Sequence, residues 1–388
     1  MHFDFRTFQE VFDLVRSSKG EVEIPLSKKR ILFLTGFFTL YPLFELFNAA
    51  CFLLDDLLFP KWKKTELRMP VFIIGNPRSG TTFLHRLMAM DRDHFFTFLT
   101  WELIFPAIIQ KKALSMLGLL DQISGGRISR RIEDRERRLF DEFDKIHRIG
   151  LFSPEEDDKL FIHNCSFHGL MWFFPYQEFS RFHKFDMCLT PEQRAPIMAF
   201  YRDCLKRQAY FKGDGKSLLS KNPVSSLKVD SLLQWFPGCR IIYLVRNPME
   251  VVASTLNMAQ SIWKRTAGVE RDDALFQNTV YEVVKLFYEY PLSRLGREPE
   301  HVYRCIRYED LIREPKKAVQ EAYEWLGFDM SREYQGVLEE EDLKSHRYTS
   351  EHIYSLSRFM IQPEQIRSDL DTIFKRFGYG NENDSVTR

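Results

Sequence analysis

Arg78, Ser79, Gly80, Thr81 and Thr82 stand in one run and bring a fixed positive charge, three hydroxyls and a glycine together. That set suits an oxyanion, because the glycine admits close backbone approach while the cation and hydroxyls add charge and donors. A second pair, Arg246 and Ser254, places a guanidinium and a hydroxyl eight residues apart. An Arg fork fits a phosphate dianion, and a hydroxyl completes the shell. Two anion pockets are therefore the first chemistry the chain offers.

The elements that must position these groups can be read around them. Val71 to Ile74 is a short apolar run of the buried-strand type, and Phe83, Leu84, Leu87 and Met88 recur at helical spacing. Strand, loop and helix in that order put a turn against a helix N-terminus, whose N–H groups and dipole bind phosphate. Gly75 and Gly80 fall in register with the pattern G-x-x-x-x-G-K-[ST], but Thr81 stands where the lysine belongs. The departure favours a nucleotide phosphate other than ATP or GTP.

Farther along, Ser217 to Ser220 reads as a strand before Lys221-Asn222-Pro223, and Arg240 to Val245 as another that ends in Arg246. Pro248 suits the first turn of the helix that carries Ser254. Strands alternating with helices argue for a parallel sheet, and such sheets bind ligands at the carboxyl ends of their strands. A Walker-type Asp would be expected at the end of a strand in a nucleoside triphosphatase, and Arg246 has the opposite sign. The expected fold class is α/β, a P-loop-like parallel sheet flanked by helices, with a large helical insertion and an apolar N-terminal helical segment.

Pro77-Arg78-Ser79-Gly80-Thr81-Thr82 resembles the 5′-phosphosulfate loop of sulfotransferases that use 3′-phosphoadenosine-5′-phosphosulfate (PAPS), and His85-Arg86-Leu87 after it is similar to one branch of that superfamily. Arg246 and Ser254, in VRNPMEVVAS, resemble the motif that binds the 3′-phosphate. Lys221, in Ser220-Lys221-Asn222-Pro223, resembles the family's Lys-x-Pro lysine, which reaches the transferring sulfuryl group. Arg307-Tyr308-Glu309-Asp310-Leu311 is similar to a segment whose Tyr308 would lie on the nucleotide or serve as a buried structural residue.

The resemblance implies PAPS as co-substrate, no metal, and in-line transfer helped by positioning and charge stabilisation. Arg78 and Lys221 would sit at the bridging and sulfuryl oxygens, with Ser79, Gly80, Thr81 and Thr82 at the 5′-phosphate. For the base that takes the acceptor proton, Glu102 comes first, by likeness to the tyrosine-protein branch. The cluster Glu155-Glu156-Asp157-Asp158 follows, since P-E-E-D recurs in the branch this chain resembles, and His163 and His168 come after. A zinc site from His163, Cys165 and His168 matches no standard spacing. An atypical nucleotide kinase is the competing enzyme reading, and a membrane-associated scaffold without turnover the competing non-enzyme one.

The 388 residues are 44% hydrophobic and 28% charged, enough for a large core, and a net charge of +1 gives no global pull on nucleic acid. Six cysteines form no C-x-x-C pair, which suits a reducing, cytoplasmic setting. The 36 phenylalanines suggest an aromatic core, a lipid-facing surface or an apolar pocket for a lipid-like hydroxyl acceptor.

Lys28-Lys29-Arg30 opens onto the apolar stretch 31–54, which contains Pro42, Glu45 and Asn48. Its few polar residues do not gather on one helical face, and three forms compete: a hairpin bent at Pro42, a single-pass anchor, or a buried helix pair. Membrane surface contact through residues 31–59 without a full span is the favoured reading. The expected organisation is an N-terminal region 1–60, a sulfotransferase domain 61–380 whose segment 92–216 is a mainly helical insertion, and a polar tail 381–388. Within the insertion, the charged stretch 127–148 is expected to be a solvated helix face.

Overall fold

The computed structural model describes residues 2–17, 27–127, 130–131, 134–135, 150–213, 215–268, 270–345 and 356–380. Most of the charged stretch 127–148, the C-terminal residues His346, Arg347 and Tyr348, and the tail 381–388 lie outside the described residues.

Five parallel strands form one sheet: β1 (Val71–Gly75), β2 (Phe95–Phe96), β3 (Ser217–Lys221), β4 (Arg240–Val245) and β5 (Tyr303–Arg307), in the order β2-β3-β1-β4-β5. Every residue of β1 is buried, which is why the strand reads as an unbroken apolar run. Its side chains alternate between two cores: Phe72 and Ile74 enter one, Val71 and Ile73 the other. β2 lies inside the segment 92–216, so that segment supplies an edge strand as well as helices.

Register decides where the chemistry falls. Ile73 lies opposite Lys221, Gly75 opposite Leu244, and Val245 opposite Arg307. The carboxyl ends of β3, β1 and β4 therefore share one rim, occupied by Lys221, the turn after Gly75, and Arg246. Helices start at that rim. α3 (Thr81–Ala89) follows the turn, and a longer one (Pro248–Ala267) follows β4, its first turn capped by the Asn247 side chain.

Ahead of the sheet run α1 (Phe5–Ser17) and α2 (Lys28–Leu58). α2 is one continuous helix that passes through Pro42, not a hairpin. Its polar residues divide between two sides: Glu45, Asn48 and Asp55, at helical spacing, are all buried against the domain, whereas Thr35 and Thr39 are exposed. It is nonetheless not a core helix, because most of its apolar residues face outward.

Candidate active site

Gly75 ends β1 at φ +153°, and a Cβ there would lie 2.5 Å from the Leu244 carbonyl oxygen. Ser226 clamps the same residue, accepting from its N–H at 2.9 Å and donating to its carbonyl at 3.1 Å. The turn then tightens as Ser79 N–H bonds the Asn76 carbonyl at 3.2 Å. Arg78 adopts a left-handed φ of 71°, uncommon for a residue with a Cβ. Gly80, at φ 86°, caps α3. The first bonds of that helix run from Phe83 and Leu84 back to the Gly80 carbonyl, so the N–H groups of Thr81 and Thr82 precede the helical ladder. Ser79 and Thr81 are buried, and Thr82 is half-buried.

Arg246 reaches this turn from the neighbouring strand. Its Nη1 donates to the Arg78 carbonyl at 2.9 Å, while Arg78 Nε donates to Ser254 Oγ at 3.1 Å. The Arg246 guanidinium lies 4.1 Å from the centre of the Tyr308 ring. That ring in turn covers Gly80, where a Cβ would stand 2.6 Å from Tyr308 Cδ2. Glu250, one turn along the following helix, accepts from Arg246 Nε at 2.9 Å. Two groups that sequence reading missed therefore shape the site: Ser226, which holds the end of β1, and Glu250, which pairs with the Arg fork. Glu250 left a faint signal, an acid four residues after Arg246.

Lys221 completes the rim. Only 1% exposed, it donates to Thr82 Oγ1 at 3.3 Å and to Glu156 Oε1 at 2.7 Å, with Glu155 Oε1 at 3.7 Å. The acidic segment arrives because Pro154 bridges Leu99 and Glu155 N–H bonds the Phe98 carbonyl at 3.0 Å. Glu156 keeps 26% of its side chain exposed, against 3% for Glu155.

Glu102 is placed differently. Fully buried in α4 (Thr100–Ile104), it accepts from Leu99 N–H and Gln208 Nε2, both at 2.8 Å, and its other oxygen pairs with Lys212 at 2.5 Å. These bonds fix Leu99, the residue that bridges Pro154, so Glu102 braces the segment that brings Glu156 to Lys221.

Burial, aided by the Asp158 charge, pushes the Asp157 carboxyl up to about 7, while Tyr201 donates to it at 2.8 Å. His85 lies buried on α3, and burial together with the Lys221 charge pushes its imidazole down to about 3, so it is neutral. His163 bonds Glu45 at 2.9 Å and the Leu103 carbonyl at 2.7 Å beneath α2, and His168 pairs with Asp158 at 2.9 Å. Among the described residues no group of three His, Cys, Asp or Glu side chains is placed to hold a metal ion.

The arrangement gathers Arg78, Lys221 and Arg246 around one glycine turn, beside a carboxylate about a quarter exposed. Such a rim can hold a doubly anionic ligand and stabilise charge on a departing phosphate oxygen. Comparison with known proteins gives the family. A profile of the Sulfotransferase family matches residues 70–332. Omega-hydroxy-beta-dihydromenaquinone-9 sulfotransferase Stf3 from Mycobacterium bovis is 26% identical over 343 residues, covering 82% of this chain and 77% of that protein. The Mycobacterium tuberculosis protein of the same name matches equally.

Among solved structures, sulfotransferase STF1 from Mycobacterium tuberculosis H37Rv superposes with a TM-score of 0.69 at 18% identity, covering 94% of this chain and 92% of that one. Sulfotransferase STF9 from Mycobacterium avium gives 0.65 at 17% identity, covering 83% and 80%. Those two likenesses concern the fold. With the profile extending from the strand before the glycine turn to beyond Tyr308, the chain belongs to the sulfotransferase family.

Proposed function

We propose that this protein transfers the sulfuryl group of PAPS to a hydroxyl of an apolar, lipid-like acceptor. The observation that carries the proposal is the 2.9 Å bond from Arg246 to the Arg78 carbonyl, which supports a reading in which the groups for the two phosphates share one sheet rim. The N–H groups of Gly80, Thr81 and Thr82, with the Ser79, Thr81 and Thr82 hydroxyls, receive the 5′-phosphate. Arg246 and Ser254 receive the 3′-phosphate, and Tyr308 borders the nucleotide. Lys221 stands at the bridging and sulfuryl oxygens, where charge grows as the sulfur–oxygen bond to the phosphate breaks, and Arg78 joins it there only by leaving Ser254, to which it donates in this structure. No step in this scheme calls for a metal.

The acceptor oxygen bonds to sulfur as its proton passes to a carboxylate. Glu156 fits that role better than Glu102, because it touches Lys221 and remains partly open, whereas both Glu102 oxygens are engaged. The name of the mycobacterial relatives, a menaquinone-derived acceptor, supports an apolar substrate here. Membrane contact through residues 31–59 gives such an acceptor a route to the enzyme.

Calorimetric titration with adenosine 3′,5′-bisphosphate, followed by labelled-sulfate transfer from PAPS to a lipid extract with products identified by mass, tests the proposal. Binding and a sulfated lipid product are expected. Absence of bisphosphate binding would overturn the donor assignment, and sulfation confined to water-soluble alcohols would overturn the acceptor class.

A further inference from the structure

α2 is inside out. The two charged residues between positions 31 and 55, Glu45 and Asp55, are buried, while Leu32, Leu40, Leu43, Leu46, Leu53 and Leu57 are each between 60% and 74% exposed. α5 (Ile108–Ile123) repeats the inversion: Gln110, Lys111 and Asp121 face inward, whereas Met116, Leu117, Leu119, Leu120 and Ile123 are 55% to 76% exposed. A surface helix in water turns its polar side outward, and patches of this size mark a contact.

The two helices are one unit. Asp55 of α2 accepts from the N–H groups of Ile108 and Ile109 at 2.8 and 2.9 Å, capping α5, and Gln110 donates to Asn48 at 2.8 Å. Inward polar groups also tie both helices to the catalytic domain, through Asp55 to Arg207 at 3.2 Å, Glu45 to His163 at 2.9 Å, and Lys111 to Gln208 at 2.7 Å. For α2 to cross a bilayer it would have to leave all of these partners and carry Glu45 and Asp55 unpaired into hydrocarbon.

Cations mark the ends. Lys28 and Lys29 are exposed at the start of α2, and Lys61, Lys63 and Lys64 just beyond its end, where Lys112 also lies over the Phe59 ring. The helix is about 45 Å long, so a helix lying flat lets both basic ends reach headgroups of the same leaflet.

We propose that α2 and α5 form one docking face for an anionic bilayer surface, half embedded and parallel to it. This rests on the membrane contact proposed above for residues 31–59, and adds α5, the orientation and the sign of the lipid charge.

Sedimentation of the full chain with vesicles tests it, using phosphatidylcholine alone and an equimolar mixture with phosphatidylglycerol. Binding to the mixed vesicles at least roughly tenfold stronger than to neutral ones is expected, with release by alkaline carbonate. Leu46→Glu, and separately Leu117→Glu with Leu120→Glu, should each weaken binding more than about tenfold while bisphosphate binding, the check on folding, is unchanged. If only Leu46→Glu releases the protein, the α2 contact stands and the two-helix face falls. If the unaltered chain binds neither vesicle, both fall. Resistance to carbonate would overturn the in-plane orientation. A dimer in light scattering that the α5 substitutions dissociate, without vesicle binding, would assign the face to a second copy and overturn the proposal.

Discussion

Arg246, one residue past the end of β4, donates to the main-chain oxygen of Arg78 in the turn after β1. The bond holds a non-glycine residue in left-handed backbone, a conformation that costs on the order of 1 kcal/mol and persists only where neighbours over-determine it. It also leaves the Arg78 side chain aimed at Ser254. One guanidinium thus shapes the turn proposed to hold the 5′-phosphate and belongs itself to the pair proposed to hold the 3′-phosphate.

Replacing Arg246 should therefore harm more than one contact. Arg246→Ala is expected to weaken adenosine 3′,5′-bisphosphate binding about 10- to 100-fold, the range for charge-assisted bonds lost from a partly buried site. Arg246→Lys should recover only part, since an ammonium cannot serve the Arg78 carbonyl, Glu250 and a phosphate in the same geometry. Calorimetry on the three proteins decides it. Unchanged affinity in Arg246→Ala would detach the 3′-phosphate from this residue.

Tyr308 and Gly80 make a second coupled pair. Gly80→Ala places a Cβ 2.6 Å from the Tyr308 ring at a φ of +86°, so it should cost stability by about 1–2 kcal/mol and blunt donor binding. With Tyr308→Ala added, the clash goes but the backbone strain stays. The double variant is expected to be more stable than the two single effects summed. Urea denaturation of the four proteins in this cycle measures the coupling, and strict additivity would mean that the ring yields freely.

The base can be assigned by separating turnover from stability. Glu156→Gln should lower kcat about 100-fold or more with little change in thermal midpoint or in KM for PAPS. Glu102→Gln should instead lower stability by about 2 kcal/mol, through its bonds to Leu99, Gln208 and Lys212, and affect turnover less. A Glu102→Gln protein that is fully stable and inactive, beside an active Glu156→Gln protein, would reverse the roles.

How much of this was legible beforehand depends on range. The strands around Arg78, Lys221 and Arg246 read clearly, because central parallel strands are apolar on both faces and their ends carry turn and cap residues such as Gly75 and Asn247. The match of Lys221 with Thr82 and Glu156 was not legible, since it depends on how a segment some sixty-five positions away folds back through Leu99 and Pro154. Sequence placed Glu102 first by position after the loop helix. Of the three groups that bond it, Leu99 is local, but Gln208 and Lys212 come from a distant helix that periodicity cannot place. Which side α2 buries was not legible for a related reason: Glu45, Asn48 and Asp55 share a face, but few polar residues in a long apolar stretch, with Thr35 and Thr39 on another side, hide that pattern.

Asp157 yields a prediction about pH. Its carboxyl rises from the ordinary value near 3.8 to about 7 when buried, so the folded protein holds a proton there that the unfolded chain has lost. Its contribution to stability is present below the unfolded value and disappears as pH rises through about 7. Buried His85, pushed down to about 3, acts oppositely: its neutral folded form favours stability as pH rises toward its ordinary 6.5. Comparing the unaltered chain with Asp157→Asn isolates the carboxyl, because the histidine term is common to both. Asn cannot ionise, yet still accepts from Tyr201. The difference in unfolding free energy should shift in favour of Asp157→Asn by about 1.4 kcal/mol per pH unit between about 4 and 7, then level off. Urea midpoints at pH 5, 6, 7 and 8 read this directly. Parallel curves for the two proteins would mean that Asp157 stays ionised in the fold, stabilised by Ser220, Tyr201 and Lys228 against its burial.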